Sequence, residues 1–231
     1  MTAIIPAAGL GRRLAAGKPK AFFRIRGKPL LVYTLANLAK AYPFREMIVA
    51  AHPAHVGKMR RLLTASGFGR ARVVSGGTTR AASVLKALHA VDRESRWVLI
   101  HDAARPLVAL SCVKNVLSAA YKTGAALCAL PVTSTVKRSD GRASHAVGTE
   151  DRHRLFLAQT PQVFRKDLLL QRYGKLGNKA LRATDEAALF DGTAVKVRLV
   201  IGEAKNIKIT TREDVELFEI YLKQRPSLRG A

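Results

Sequence analysis

The sequence predicts an α/β fold: a mostly parallel sheet covered by helices on both faces. Three observations carry that expectation. Short apolar runs alternate with longer segments of helical periodicity along most of the chain. Polar residues gather in the loops that follow the apolar runs, the edge where open α/β sheets hold ligands. With 231 residues and 48% apolar content, the chain is long and hydrophobic enough for one substantial core.

The elements follow in order. Ala3–Ile5 reads as a buried strand, Leu30–Lys40 as a helix started by Pro29, and Met47–Ala51 as the next strand. Val56–Ala65 is helical and Ala71–Val74 is a third short strand. Arg80–Val91 is a helix with Val84, Leu85 and Leu88 on one face. Trp97–Ile100, Cys112–Tyr121 and Ala126–Leu130 continue the rhythm as strand, helix and strand. From Pro131 to Leu155 it breaks. The stretch is polar and rich in Thr and Ser, and Asp140-Gly141 is a hairpin turn signal. An extended arm is expected over 132–155. A two-stranded arm is marginal alone, so it is expected to pack on a second subunit. Helices near Lys166–Arg172 and Thr184–Phe190, a strand at Val195–Val200 and a helix from Arg212 to Lys223 complete the chain. No linker or internal repeat divides residues 1–231, which read as a single domain.

Charge and composition narrow the function. Forty Lys and Arg against sixteen Asp and Glu give +24, which suits polyanionic ligands. The cations are scattered and aromatics are only 6%, so nucleic acid is not the expected partner. No apolar run reaches the roughly 18 residues of a membrane helix. Pro6 and Gly9 interrupt the first apolar segment too early for a secretory signal. A cytoplasmic protein is expected, with Cys112 and Cys128 as reduced core residues.

The first loop carries the sharpest signal. Pro6, Ala7, Ala8, Gly9 and Gly11 are followed by Arg12, Arg13, Lys18 and Lys20. The Walker A spacing fails, because Arg12 stands at its first glycine and Pro19 follows Lys18. The dinucleotide fingerprint fails at Leu14. The physics common to both remains: bare backbone N–H groups approach an anion and long cations close over it. Later loops add Gly76, Gly77, Thr78 and Ser83, then His101-Asp102, Arg105, and Thr135. Asp102 beside phosphate-binding cations is a natural Mg²⁺ ligand, since Mg²⁺ shares oxygen donors with phosphates. The six histidines show no HxxxH or HxH spacing, so no protein-built zinc site is expected. Thr184-Asp185-Glu186 reads as a helix start with Thr184 as cap.

Taken in order, "PAAGLGRR", "KPKAF", "GGTTRAASV", "HDAARP", "TPQVF", "TDEA" and "NIKIT" resemble the 2-C-methyl-D-erythritol 4-phosphate cytidylyltransferases, from Ala3 to about Lys223. Ribitol 5-phosphate cytidylyltransferases are the nearest alternative, and Pro6-Ala7-Ala8-Gly9 with Ala103-Ala104 favour the former. The resemblance implies a Rossmann-like three-layer α/β/α nucleotidyltransferase domain, with a mostly parallel mixed sheet and a protruding β-arm. It implies Mg²⁺ as cofactor, and CTP and a polyol phosphate as substrates. Arg13 and Lys20 would grip the CTP triphosphate. Ala7, Ala8, Gly77, Thr78 and Ser83 would hold cytosine and ribose. Asp102 would sit near Mg²⁺, while Arg105 and Thr135 would bind the acceptor and Arg152 and Lys208 its phosphate. Thr160 and Thr184 would support that pocket. In this family the arm swaps across a homodimer, which would carry Arg152 and Thr135 to the partner's site. The chain departs from the family pattern at Ser134, at Thr78, Thr79 and Ala82, and in its +24 charge.

Overall fold

The first strand, β1 (Thr2–Ala7), forms the middle of a sheet because its residues are almost wholly apolar and its side chains meet helices on both faces. The structure is a computed structural model that describes residues 1–9, 11, 14, 19–142 and 144–224. After β1 come a small hairpin, β2 (Arg24–Ile25) and β3 (Lys28–Pro29), and helix α1 (Leu30–Ala41). Helix α1 stops before Tyr42, the residue that precedes Pro43 and is pushed out of the helical region. β4 (Glu46–Ala51), α2 (Val56–Ala65), β5 (Arg72–Ser75), α3 (Arg80–His89) and β6 (Trp97–Ile100) repeat the alternation. Helix α4 (Leu110–Thr123) ends on Gly124, which takes φ +88° and donates its N–H to the Ala120 carbonyl at 2.7 Å. Then follow β7 (Ala125–Pro131), β8 (Val136–Ser139), β9 (Ala146–Glu150), β10 (Phe156–Arg165), α5 (Lys166–Leu176), β11 (Arg198–Ile201) and α6 (Arg212–Gln224).

Seven strands form one sheet in the order β11-β7-β10-β6-β1-β4-β5. All neighbours pair parallel except β10, which runs antiparallel to both β6 and β7. The sheet is thus mixed and mostly parallel, as expected. One face packs on α1, α2 and α4 through Leu35, Met59 and Val116; the other packs on α3 and α5 through Val84, Leu88 and Leu169. A third cluster joins α6 to the foot of α1, where the Tyr33 and Phe218 rings meet edge to face at 5.2 Å.

Three expectations need correction. The helix expected over Thr184–Phe190 is only a 3₁₀ turn, Ala187–Phe190; Glu186 holds its N-cap position, and Asp185 Oδ1 accepts the Ala188 N–H at 3.0 Å. Thr184 is exposed and does not cap it. The strand expected at Val195–Val200 begins at Arg198, where the pairing to Ala126 of β7 starts. Cys112 and Cys128 are core residues, but they are joined, with sulfurs 2.07 Å apart across the α4–β7 contact. Their 16-residue separation carries no pairing signature, and both point into the same layer. Besides the short β2–β3 hairpin, one strand of the main sheet was not anticipated at all. β10 lacks period-2 alternation, and its register against β7 shifts between Ala158 and Gln162, around Pro161, which has no N–H for the ladder.

β8 and β9 leave the sheet as a separate antiparallel hairpin, largely exposed. Its turn is the Asp140-Gly141 signal: Gly141 sits at φ +84°, and Asp140 accepts from the Arg142 N–H at 3.0 Å and the Ser144 hydroxyl at 2.7 Å.

Candidate active site

The parallel strands β1, β4, β5 and β6 end along one edge, and a cleft of 440 Å³ opens there. Its floor is the loop after β1. Pro6, Ala7, Ala8, Gly9 and Gly11 line it with little but backbone. A 3₁₀ turn, Lys20–Phe22, returns to that floor, tied by the Lys20 N–H to the Gly9 carbonyl at 3.4 Å, and brings Lys20 into the lining. Arg13 lies outside the described residues.

The loop from β5 into α3 forms one wall. Gly76 donates to the Ala51 carbonyl at 2.7 Å, and a Cβ there would meet Ala8 Cβ at 2.8 Å and the Ala51 carbonyl at 3.0 Å. A side chain would push this loop off the first one, so glycine is required for close approach, not merely for a turn. Gly76 thus sits behind the lining while Gly77 and Thr78 face the cleft. The buried Ser83 hydroxyl accepts the Gly77 N–H at 3.0 Å and donates to the Thr79 carbonyl at 2.9 Å. Thr79 caps α3 through the Ala82 N–H at 3.0 Å. Ser83 therefore both lines the cleft and fixes the loop that Thr78 projects from.

Asp102, just past β6, is the electrostatic hub. Its Oδ1 accepts from Arg80 Nε at 3.0 Å, its Oδ2 lies 2.7 Å from Lys208 Nζ, and Arg105 Nε is 4.0 Å away. Burial acts against its charge, but Arg80 first, then Lys208 and Arg105, hold its carboxyl well below the usual carboxylate range. Behind it runs a chain of committed hydrogen bonds. The Asp102 N–H donates to Thr160 Oγ1 at 3.0 Å; that hydroxyl donates to His101 Nδ1 at 3.0 Å; His101 Nε2 donates to the Arg105 carbonyl at 2.9 Å. Full burial pushes His101 down to about 4, so it stays neutral. It is a strut beside the sheet.

Of the residues expected at the site, Lys20, Thr78, Ser83, Asp102 and Lys208 come together on the cleft. Thr160 lies behind its wall, with its hydroxyl used by Asp102 and His101. Arg105 does not line the cleft: its side chain is 11% exposed and its Nη1 donates to the Asn206 carbonyl at 2.7 Å. Thr135 and Arg152 stand exposed on the arm, where Arg152 donates to the Thr133 carbonyl at 2.8 Å, and neither lines the cleft of its own chain. Thr184 is exposed and lines none of it.

Sequence reasoning missed Arg80. It lines the cleft, and its Nη1 forks onto Glu186 at 2.9 and 2.8 Å. One signal was available: a cation in the first turn of a helix opposes the macrodipole and calls for nearby acids. Among the described residues, Asp102 is the only carboxylate lining the cleft, and no group of three or more His, Cys, Asp or Glu is arranged to hold a metal.

The chain and its fold are similar to known proteins. The family model described as "IspD: 2-C-methyl-D-erythritol 4-phosphate cytidylyltransferase" matches residues 1–224. The 2-C-methyl-D-erythritol 4-phosphate cytidylyltransferase of Acidobacterium capsulatum is 38% identical over 233 residues, covering 97% of this chain and 98% of the relative. That of Haemophilus influenzae is 40% identical over 221 residues, 95% of each. Among solved structures, 4-diphosphocytidyl-2C-methyl-D-erythritol synthase from Anaerococcus prevotii superposes with a TM-score of 0.82 at 32% identity, covering 96% of this chain and 97% of that one. The Thermus thermophilus cytidylyltransferase gives 0.76 at 35%, covering 96% and 98%. With the ordered motifs, the fold and a match over nearly its whole length in agreement, the chain belongs to the 2-C-methyl-D-erythritol 4-phosphate cytidylyltransferase family.

Proposed function

We infer that the protein condenses CTP with 2-C-methyl-D-erythritol 4-phosphate, forming the CDP-methylerythritol product and pyrophosphate, in non-mevalonate isoprenoid biosynthesis. The observation that carries this reading is the convergence of Lys20, the Gly77–Thr78 loop and the Asp102–Lys208 pair on one cleft at the sheet edge.

The acceptor's phosphate oxygen attacks the α-phosphorus of CTP, and pyrophosphate leaves. That oxygen is ionised at neutral pH, so no general base is required. The obstacles are bringing anions together and stabilising a more charged transition state, which positioning and fixed cations address. Lys20 is the α-phosphate clamp on the glycine-lined floor, with Arg13 as its expected companion. Ala7, Ala8, Gly77, Thr78 and Ser83 take the base and ribose. Lys208 is suited to the acceptor's phosphate, since its side chain is 46% exposed and lines the cleft.

Mg²⁺ fits this donor set, because it is held through one or two carboxylates together with substrate phosphates. Asp102 would hold it, and when bound the ion would offset charge on the triphosphate. Arg152 and Thr135 act in the site of a second copy, which their exposed places on the arm support and which makes the working unit a homodimer. Consumption of CTP implies a cytoplasmic enzyme. Among the described residues no helix is long and apolar enough to cross a membrane.

The test is pyrophosphate release with CTP and Mg²⁺ over a panel of acceptors. Turnover with methylerythritol phosphate well above that with ribitol 5-phosphate supports the reading. Equal or reversed preference would move it to another polyol phosphate, and tight binding of random DNA without turnover would overturn it.

A further inference from the structure

Three cations surround Asp102, but they are not equivalent. The Lys208 side chain is 46% exposed and is held by Asp102. Arg105 keeps its closest nitrogen 4.0 Å from the carboxylate and spends Nη1 on the Asn206 carbonyl. Arg80 differs from both. Its Nε sits 3.0 Å from Asp102 Oδ1, and its Nη1 donates to both carboxylate oxygens of Glu186, whose side chain is 0% exposed. Glu186 is itself fixed by the Tyr173 hydroxyl of α5 at 3.3 Å. Two of the three guanidinium nitrogens are thus committed to acids, while Nη2 is buried without a partner and the side chain keeps 23% exposure where it lines the cleft.

The backbone is fixed as well. Arg80 is the first residue of α3, a position unfavourable to a cation by about 0.3–1 kcal/mol. That cost is offset by the two acids it joins. A buried carboxylate such as Glu186 needs a partner of this kind, since a lone buried charge is strongly disfavoured. Glu186 belongs to the segment after α5, Asp102 to the loop after β6, and Arg80 to α3. One guanidinium thus fixes three separate elements around the cleft.

We propose that Arg80, pinned by Glu186, is a positioning residue of the cytidylyltransferase site. It sets the place of the Asp102 carboxylate and keeps it compensated when Lys208 turns to the acceptor's phosphate. The inference rests on the functional reading above. It assigns Arg80 an action through Asp102 and not through the substrate.

The test is a double-mutant cycle on the full chain with Arg80→Gln, Asp102→Asn and the double variant, together with Arg80→Lys. Circular dichroism checks folding. Two readouts are taken: pyrophosphate release with methylerythritol phosphate, and calorimetric binding of Mg²⁺-CTP. Losing a partner that orients a ligand-holding side chain costs roughly 10–100-fold in activity or affinity. Arg80→Gln is expected to lose about that much in kcat, and the double variant no more than the worse single one, because coupled residues are not additive. Arg80→Lys keeps a charge but lacks the fork, so it should fall between wild type and Arg80→Gln. Additive losses in both readouts would overturn the proposal, as would an Arg80→Lys protein equal to wild type, since charge alone would then suffice. If the wild type binds Mg²⁺-CTP without turning over methylerythritol phosphate, the assigned reaction fails while the binding cycle still decides Arg80. If it does not bind Mg²⁺-CTP, both fail.

Discussion

Lys208 Nζ stands 2.7 Å from Asp102 Oδ2, joining the loop before α6 to the loop after β6 across the mouth of the cleft. In the proposed reaction the same ammonium serves the acceptor's phosphate. A charge-assisted hydrogen bond contributes about 1.5–3 kcal/mol, so Lys208→Ala should raise the acceptor KM by roughly 10–100-fold. The KM for CTP should change much less. Steady-state kinetics varying each substrate in turn checks this; a defect confined to CTP would remove Lys208 from the acceptor's side.

Lys20 lines the same cleft on a turn tied to the glycine floor, and its expected role is transition-state stabilisation. Removing one preorganised donor costs about 10²–10³ in kcat. Lys20→Ala should show that loss with an unchanged circular dichroism spectrum, and Arg13→Ala should behave alike. Near-wild-type turnover in a folded Lys20→Ala protein would take the clamp away from this loop.

Thr160 tests the frame and not the chemistry. Its hydroxyl accepts from the Asp102 N–H and donates to His101, and the side chain is buried. Thr160→Val keeps the shape and leaves two buried polar groups unpaired, each of which should cost about 1–3 kcal/mol. Urea denaturation would read this as a lower midpoint at unchanged slope. An unchanged midpoint would mean that solvent or another group replaces the hydroxyl.

The contrast between Lys20 and Arg80 explains what was legible in the sequence. Lys20 follows a glycine loop at the end of a strand, a local pattern with a local meaning. Arg80 takes its role from Asp102 and Glu186, which lie 22 and 106 residues away in the chain, so no spacing rule reaches it. The parallel strands were readable because β1, β4 and β6 each hold a short apolar run, Ala3–Ile5, Met47–Ala51 and Trp97–Ile100. β10 was not, because Gln159, Pro161 and Gln162 interrupt its pattern; Gln162 is buried only because Asp185 and the Ala187 N–H take its amide. The disulfide between Cys112 and Cys128 was equally hidden, since only the packing of α4 on β7 brings the two together.

The arm poses the last question. Arg152 and Thr135 are exposed and do not line their own cleft, yet the proposed reaction assigns both to acceptor binding. If each arm serves its partner, a Lys20→Ala chain and an Arg152→Ala chain should complement one another. In the mixed dimer one site carries both defects, while the other combines an intact body with an intact arm. Random mixing of inactive parents would make half the dimers mixed, each with one good site, so activity should recover to about a quarter of wild type. The measurement is pyrophosphate release after the two proteins are dissociated and reassociated together, with each parent treated alone as control. Recovery requires the sites to be built across the dimer. Activity that stays at the parental level, with mixed dimers verified by mass spectrometry, would place Arg152 in the site of its own chain or in none.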